Sequence, residues 1–274
     1  MRVQCLVDNS VMPSSPFWGE HGLSLLIESE DGLRLLFDTG ASGPVLLHDL
    51  DCAGVDLGTL DAIVLSHSHP DHTGGLPTIL ERRTGLPVHA HPDILRPRYS
   101  EMGGAKSLKG LPWSPEALEQ RAELRLSESP ERVLPGVWTS GEIVERDEPE
   151  GRSPHHLVRH GEGWAPDPYR DDLSLVLETG AGLFVVCGCC HAGLVNTLAH
   201  VKRHFGEDPV GVIGGTHLVG TGPAQLAHTV DRLREFHSPV LHLNHCTGPP
   251  AFVALSRAFG ERVFHCPAGT TLDL

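Results

Sequence analysis

Seven consecutive residues, Ser66-His67-Ser68-His69-Pro70-Asp71-His72, place four candidate metal ligands within six positions. They follow a short apolar run, Ala62 to Leu65, that reads as a buried strand. Side chains alternate along extended backbone, so His67 and His69 face one side. A turn through Pro70 can bring Asp71 and His72 round to the same point. Imidazole nitrogens and a carboxylate oxygen are donors that Zn²⁺ or Fe²⁺ accepts. A loop that is His-rich by accident is the bland alternative, and placement at a strand end argues against it. A divalent ion held there would lower the pKa of a water from about 15.7 to near 7 and polarise an electrophile, which is the chemistry of hydrolysis.

The composition supports that chemistry and narrows the partners. Nineteen histidines in 274 residues exceed what a solvated surface needs and point to metal or proton chemistry. A formal net charge of -14 argues against nucleic-acid phosphates as the main partner, while a small anionic substrate can still be held by a local cation. A small-molecule substrate is therefore expected. No apolar run of about 18 residues offers a membrane span, and Met1 to Ser10 lacks the apolar stretch of a signal peptide, so a cytoplasmic protein is expected. Seven cysteines, an odd number, suit reduced thiols better than a disulfide framework.

The elements that must position the motif are legible in outline. Strands are predicted at Val3 to Asp8, Leu23 to Glu28 and Leu33 to Phe37, the last two joined by the turn-forming Asp31-Gly32. A helix is predicted from Gly75 to Thr84, followed by a short strand at Val88 to Ala90. In the last hundred residues the strands Leu173 to Glu178 and Leu183 to Cys187 read as a hairpin. Three strand-to-helix units follow one another, from Leu183, Val210 and Val240. Ligands gather beyond the carboxyl ends of strands in open α/β layers, which makes His217, after Gly214-Gly215, a candidate ligand or general acid. Residues 1–274 are read as a single domain with a loop-rich insertion at about 92–170, where Pro, Gly, Arg and Glu break the pattern. That insertion is expected to shape a pocket.

With Phe37-Asp38-Thr39-Gly40 before it and Thr73-Gly74-Gly75-Leu76 after it, the His-x-His-x-Asp-His motif resembles the metallo-β-lactamase superfamily. Five further stretches resemble one branch of it, grouped around a dihydropterin-linked ribofuranosylaminobenzene phosphate synthase. They are Val7-Asp8-Asn9, Glu20-His21-Gly22-Leu23-Ser24, Gly188-Cys189-Cys190-His191-Ala192-Gly193, Gly214-Gly215-Thr216-His217-Leu218 and His245-Cys246-Thr247-Gly248. The resemblance implies an α/β fold, the αββα sandwich, and one or two divalent metal ions, with Zn²⁺ first and Fe²⁺ or Mn²⁺ behind it. It assigns His67 and His69 to one ion, Asp71 and His72 to the other, and His245 to the late histidine of the second site. His191 is the best remaining ligand for the first. Asp38 is implied as the carboxylate that orients the metal loop.

The chain departs from the superfamily at one point. Where a bridging aspartate usually follows an apolar strand and a glycine, it has Cys187-Gly188-Cys189-Cys190-His191. Cys189 could ligate as a thiolate, His191 could replace either missing ligand, or one ion alone could be held tightly. His21 is a further candidate, with a surface turn as the alternative. The other histidines, His156 among them, are read as structural or solvated. The leading expectation is a hydrolase with Asp71 and His217 in the chemistry. The alternative is a transferase of the dihydropterin type that releases pyrophosphate.

Overall fold

The structure, a computed structural model, describes residues 1–274. Two seven-stranded sheets face each other. The first runs in the order Thr271–Asp273, Arg2–Val7, Ser24–Glu28, Arg34–Phe37, Ala62–Val64, Leu86–Ala90 and Ala122–Leu126. The second runs Val263–His265, Val240–Leu243, Gly211–Gly214, Gly182–Cys187, Ser174–Thr179, Val137–Thr139 and Arg132–Leu134.

Period-two alternation explains the layers. Leu25, Ile27, Leu35 and Phe37 of the first sheet pack with Leu175, Leu177, Val186 and Ile213 of the second, forming the core between the sheets. Their neighbours point the other way. Leu26, Leu36 and Ile63 meet Leu46, Leu50, Ile79 and Leu80 on the helices Gly43–Cys52 and Leu76–Arg82. Val176, Val185 and Val212 meet Leu198, Leu233 and Leu255 on the helices Leu194–Phe205, Pro223–Glu235 and Pro249–Phe259. Strands apolar on both faces thus require a helical layer on each outer side, and the result is αββα. Each such side chain removed from water contributes about 1.5–3 kcal/mol.

The three strand-to-helix units are parallel, with Phe184 opposite Gly211 and Val212 opposite Leu241. Their carboxyl ends therefore lie along one edge. The helices start and stop where local chemistry dictates: Pro223 and Pro249 open two of them, and Gly206 closes a third with a φ of 81°.

Residues 92–170 are more regular than a loop-rich insertion. They contain seven strands and the short helix Pro115–Glu119. Ala122–Leu126, Arg132–Leu134 and Val137–Thr139 complete the two main sheets. Arg98–Met102, Ala105–Leu108, His156–His160 and Gly163–Pro166 form a separate four-stranded sheet. The Pro- and Gly-rich composition reflects many short strands and tight turns, such as Gly103-Gly104 with both φ values positive. No helix is long and apolar enough to cross a membrane.

Candidate metal centre

Four strands deliver the site from their carboxyl ends. Ala62–Val64 leads to His67, His69, Asp71 and His72; Gly182–Cys187 to Cys189 and His191; Gly211–Gly214 to His217; Val240–Leu243 to His245. Asp38, Tyr169, Cys190, His217 and His245 are five of the eight non-glycine residues with positive φ. Such backbone persists only where surroundings over-determine it, and here it gathers around one point. Gly188 is needed for the same reason: a Cβ there would lie 2.2 Å from Ser66 Oγ, so glycine alone lets the cysteine-rich loop rest against the His67 loop.

Hydrogen bonds fix which nitrogen of each ring faces inward. His72 Nδ1 donates to Asp38 Oδ2 at 2.7 Å, and His191 Nδ1 donates to the Gly151 carbonyl at 2.7 Å. His245 Nδ1 donates to Asn9 Oδ1 at 3.0 Å. Ser66 Oγ donates to Asp38 Oδ2, so it accepts from His67 Nδ1 at 2.8 Å. Each ring thus turns its Nε2 lone pair inward.

Those inward atoms crowd together. His72 Nε2 lies 3.2 Å from His245 Nε2 and 3.1 Å from Cys189 Sγ. Asp71 Oδ2 lies 3.5 Å from His245 Nε2 and 3.7 Å from His72 Nε2. His67 Nε2 is 3.0 Å from His69 Nδ1, and the His191 ring centre lies 4.9 Å and 5.0 Å from those of His67 and His69. His191 Nε2 is buried without a hydrogen-bond partner. Buried acceptors facing one another repel unless a cation lies among them. This donor set fits a divalent ion, and the backing acceptors are the kind that orient metal-bound imidazoles.

The electrostatics agree. Burial drives His67 and His191 well below the usual histidine range, and neighbouring histidines push them further, which keeps both rings neutral. Burial also opposes charge on His72, yet Asp38 and Asp71 outweigh it and lift the ring to about 9, so a cation binding there would displace a proton to reach the Nε2 lone pair. Burial likewise works against the Asp71 carboxylate, but His72 and His245 hold its pKa far below the ordinary value. The gap between these groups calls for positive charge, which a proton supplies in part and a divalent cation more fully.

Two consecutive aspartates pin both loops. Asp171 Oδ2 accepts from Ser68 N at 3.0 Å, between His67 and His69. Asp172 Oδ2 accepts from Ala192 N at 2.8 Å, beside His191. Nothing in the local sequence marks them; Asn9, in the Val7-Asp8-Asn9 stretch noted above, reaches His245 across 236 positions.

A cavity of about 530 Å³ opens over the cluster. Asp71, the one carboxylate among its 14 lining residues, is joined there by His69, His191, His217 and His245. The His217 ring lies 4.4 Å from that of His191, and burial holds its pKa near 4, so it is neutral at pH 7. A neutral ring there can serve as an N–H donor or, through its other nitrogen, as a ligand. His21 is also in the wall, 73 % exposed, with Nε2 3.4 Å from Asp71 Oδ2. His156 corrects its reading as structural or solvated: it lines the cavity, with its ring 4.7 Å from that of His69. Lys109, the single Lys or Arg in the wall, was not singled out in the sequence at all. Both come from the 92–170 segment.

Asp38→Asn keeps the size of the side chain but weakens the acceptor behind His72 and Ser66. Metal affinity is expected to fall about 10–100-fold, read by competition with a chromophoric chelator. Unchanged affinity would show that Asp38 supports the backbone alone.

Comparisons with known proteins agree with this geometry. The profile described as the metallo-beta-lactamase superfamily matches residues 18–184. The chain is 33% identical to the 7,8-dihydropterin-6-methyl-4-(beta-D-ribofuranosyl)-aminobenzene-5'-phosphate synthase of Methanocaldococcus jannaschii, over 98% of this chain and 95% of that protein. Among solved structures, Tm1679, described as a metal-dependent hydrolase of the beta-lactamase superfamily, superposes with a TM-score of 0.85 at 27% identity. That match covers 100% of this chain and 99% of the other. PqqB from Methylobacterium extorquens, at 14% identity and a TM-score of 0.58 over 100% of each chain, shares the fold. The αββα layers, the His-x-His-x-Asp-His loop at the end of a strand and these matches lead to one conclusion: the chain is an enzyme of the metallo-β-lactamase superfamily.

Proposed function

We propose that the protein is a metal-dependent hydrolase of a small ester-type substrate that carries a phosphate. The observation that carries this reading is the ring of inward lone pairs, His67, His72, His191 and His245, each backed by an acceptor at its Nδ1. His67, His69 and His191 form one half of the cluster, and Asp71, His72 and His245 the other. A divalent cation, zinc first among nitrogen- and sulfur-rich sites, supplies Lewis acidity and an acidified water there.

The chain's own groups do the rest. Asp71, held ionised and 20 % exposed in the cavity wall, accepts a hydrogen bond from the attacking water and orients it. His217, neutral, hydrogen-bonds the departing oxygen through its N–H, and the proton given up by the water reaches that oxygen through solvent. Lys109 meets the phosphate. All seven cysteines are free, which agrees with the reducing cytoplasm we propose as its setting.

A second reading rests on the 33% identity over nearly the whole chain to the archaeal synthase. In it the same site couples an arylamine to a pterin-like methyl pyrophosphate, and the cationic cluster stabilises the departing pyrophosphate. The test is turnover by protein loaded with Zn²⁺, Mn²⁺ or Fe²⁺ on a panel of esters and phosphodiesters. It is run beside a dihydropterin pyrophosphate with an arylamine. Hydrolysis without amine supports the first reading, and amine-dependent pyrophosphate release replaces it with the second. Within the panel, Lys109→Ala is expected to raise KM about tenfold for phosphorylated substrates, equivalent to about 1.4 kcal/mol, and to leave neutral esters unchanged. Equal effects on both would remove Lys109 from anion recognition.

A further inference from the structure

The loop Cys187-Gly188-Cys189-Cys190 has three thiols and sends them to different places. Cys187 Sγ accepts from Ser174 Oγ at 3.6 Å within the sheet. Cys190 Sγ lies 3.3 Å from Thr197 Oγ1, turned into the helix-covered core. Cys189 alone turns to the metal cluster, where its Sγ is 3.1 Å from His72 Nε2. Positive φ at Cys190 separates the directions of the two adjacent side chains.

Cys189 also belongs to both halves of the site. With His67 and His191 it forms one set of three whose ligand atoms all lie within 4.8 Å of one another. With His72 and His245 it forms a second such set. No other residue is common to the two. Cys246, the remaining thiol in the wall, is differently engaged: its Sγ accepts from His217 N at 3.2 Å and lies 3.6 Å from the Cys189 carbonyl.

The geometry points to Cys189 as a thiolate bridge between two divalent ions, one held with His67, His69 and His191 and the other with Asp71, His72 and His245. This rests on the metal site proposed above and says what joins its halves. On metal binding the Cys189 S–H bond breaks, the proton leaves to solvent, and the sulfur keeps both electrons of that bond to share with the ions. A bridging sulfur is softer than a carboxylate, so the site should favour Zn²⁺ or Fe²⁺ over Mn²⁺ and Mg²⁺. Gly215 lets the end of the Gly211–Gly214 strand lie against this loop: a Cβ there would come within 2.4 Å of the Gly188 carbonyl and 2.7 Å of Cys246 Sγ.

Full-length protein titrated with Co²⁺ tests the bridge without using activity. In the wild type the thiolate-to-cobalt charge-transfer absorption should grow through both equivalents, and the second equivalent should diminish the electron-spin signal through coupling across sulfur. Cys189→Asp should keep two ions and lose the absorption. Cys189→Ser should bind the ions about 10–100-fold more weakly, a loss at least as large as that of an outer partner. Cys246→Ser should retain the absorption. Two bound ions without the charge-transfer band, a band complete at one equivalent, or a band that survives Cys189→Ser each overturns the bridge while leaving the metal site intact. Failure of the wild type to bind any ion overturns the metal reading instead.

Discussion

His67→Ala and His72→Ala should each reduce turnover more than about 100-fold and should each release one of two bound ions. Loss of an outer hydrogen-bond partner already costs about 10–100-fold in affinity or activity, and these two rings carry the inward lone pairs themselves. The two variants empty different halves of the cluster. The ion that remains in His67→Ala should therefore be lost on adding Asp38→Asn, which loosens His72. Both rings are buried, so circular dichroism of each variant should accompany the metal count, to separate loss of an ion from loss of the fold. Chelation of the wild type gives the matching stability readout. An ion present at 100 times its Kd stabilises the folded state by about 2.7 kcal/mol, so its removal should lower Tm by about 5–10 °C. Chelated protein with the same Tm and undiminished activity would falsify the metal-dependent reading.

What could be read from the sequence follows from how local each signal is. His67, His69, Asp71 and His72 share one strand end, so their convergence is a matter of alternation and one turn. Periodicity made the strands and the three strand-to-helix units legible, while the sandwich they build was implied by the resemblance alone. His191 and His245 sit at the ends of regular strands and could be placed by resemblance. Cys189 could be named but not chosen over its alternatives, because which thiol of Cys187, Cys189 and Cys190 faces the site depends on the positive φ at Cys190. His156 and Lys109 were out of reach. His156 lies on, and Lys109 directly follows, a small sheet whose strands Arg98–Met102 and His156–His160 pair across more than fifty residues. No local pattern announces that pairing, and Gly103-Gly104 and the prolines read as loop. Asp171 and Asp172 were missed because each holds the metal loops through a backbone amide, and a carboxylate that holds an amide leaves no mark on the partner's sequence.

Arg98→Met should lower stability by about 3–5 kcal/mol, a fall in Tm on the order of 10 °C, and should weaken metal binding with it. Arg98 is 1 % exposed and is surrounded by carboxylates. Its Nη2 donates to Asp93 Oδ2 at 2.8 Å and to Asp171 Oδ1 at 2.6 Å, and Nε lies 2.9 Å from Asp167 Oδ2 but out of line for a hydrogen bond. One guanidinium thus serves three acids, and methionine would leave two of them fully buried with no cation. Burial raises the pKa of Asp171 to about 7 despite the opposing pull of Arg98, with Asp167 adding to the rise. The folded state therefore binds more protons than the unfolded chain between the ordinary carboxyl value and about 7. Stability from this group is greatest below that window and is lost as pH rises through it. The defect of Arg98→Met should accordingly be largest at pH 8 and shrink towards pH 5, where a proton on Asp171 relieves the repulsion. Adding Asp171→Asn should recover part of the loss at pH 8. The same carboxylate accepts from Ser68 N, so slackening it frees the backbone between His67 and His69. A Tm within about 1 °C of the wild type at pH 8, with metal affinity unchanged, would show that the third sheet rests on the sandwich without bracing the metal loop.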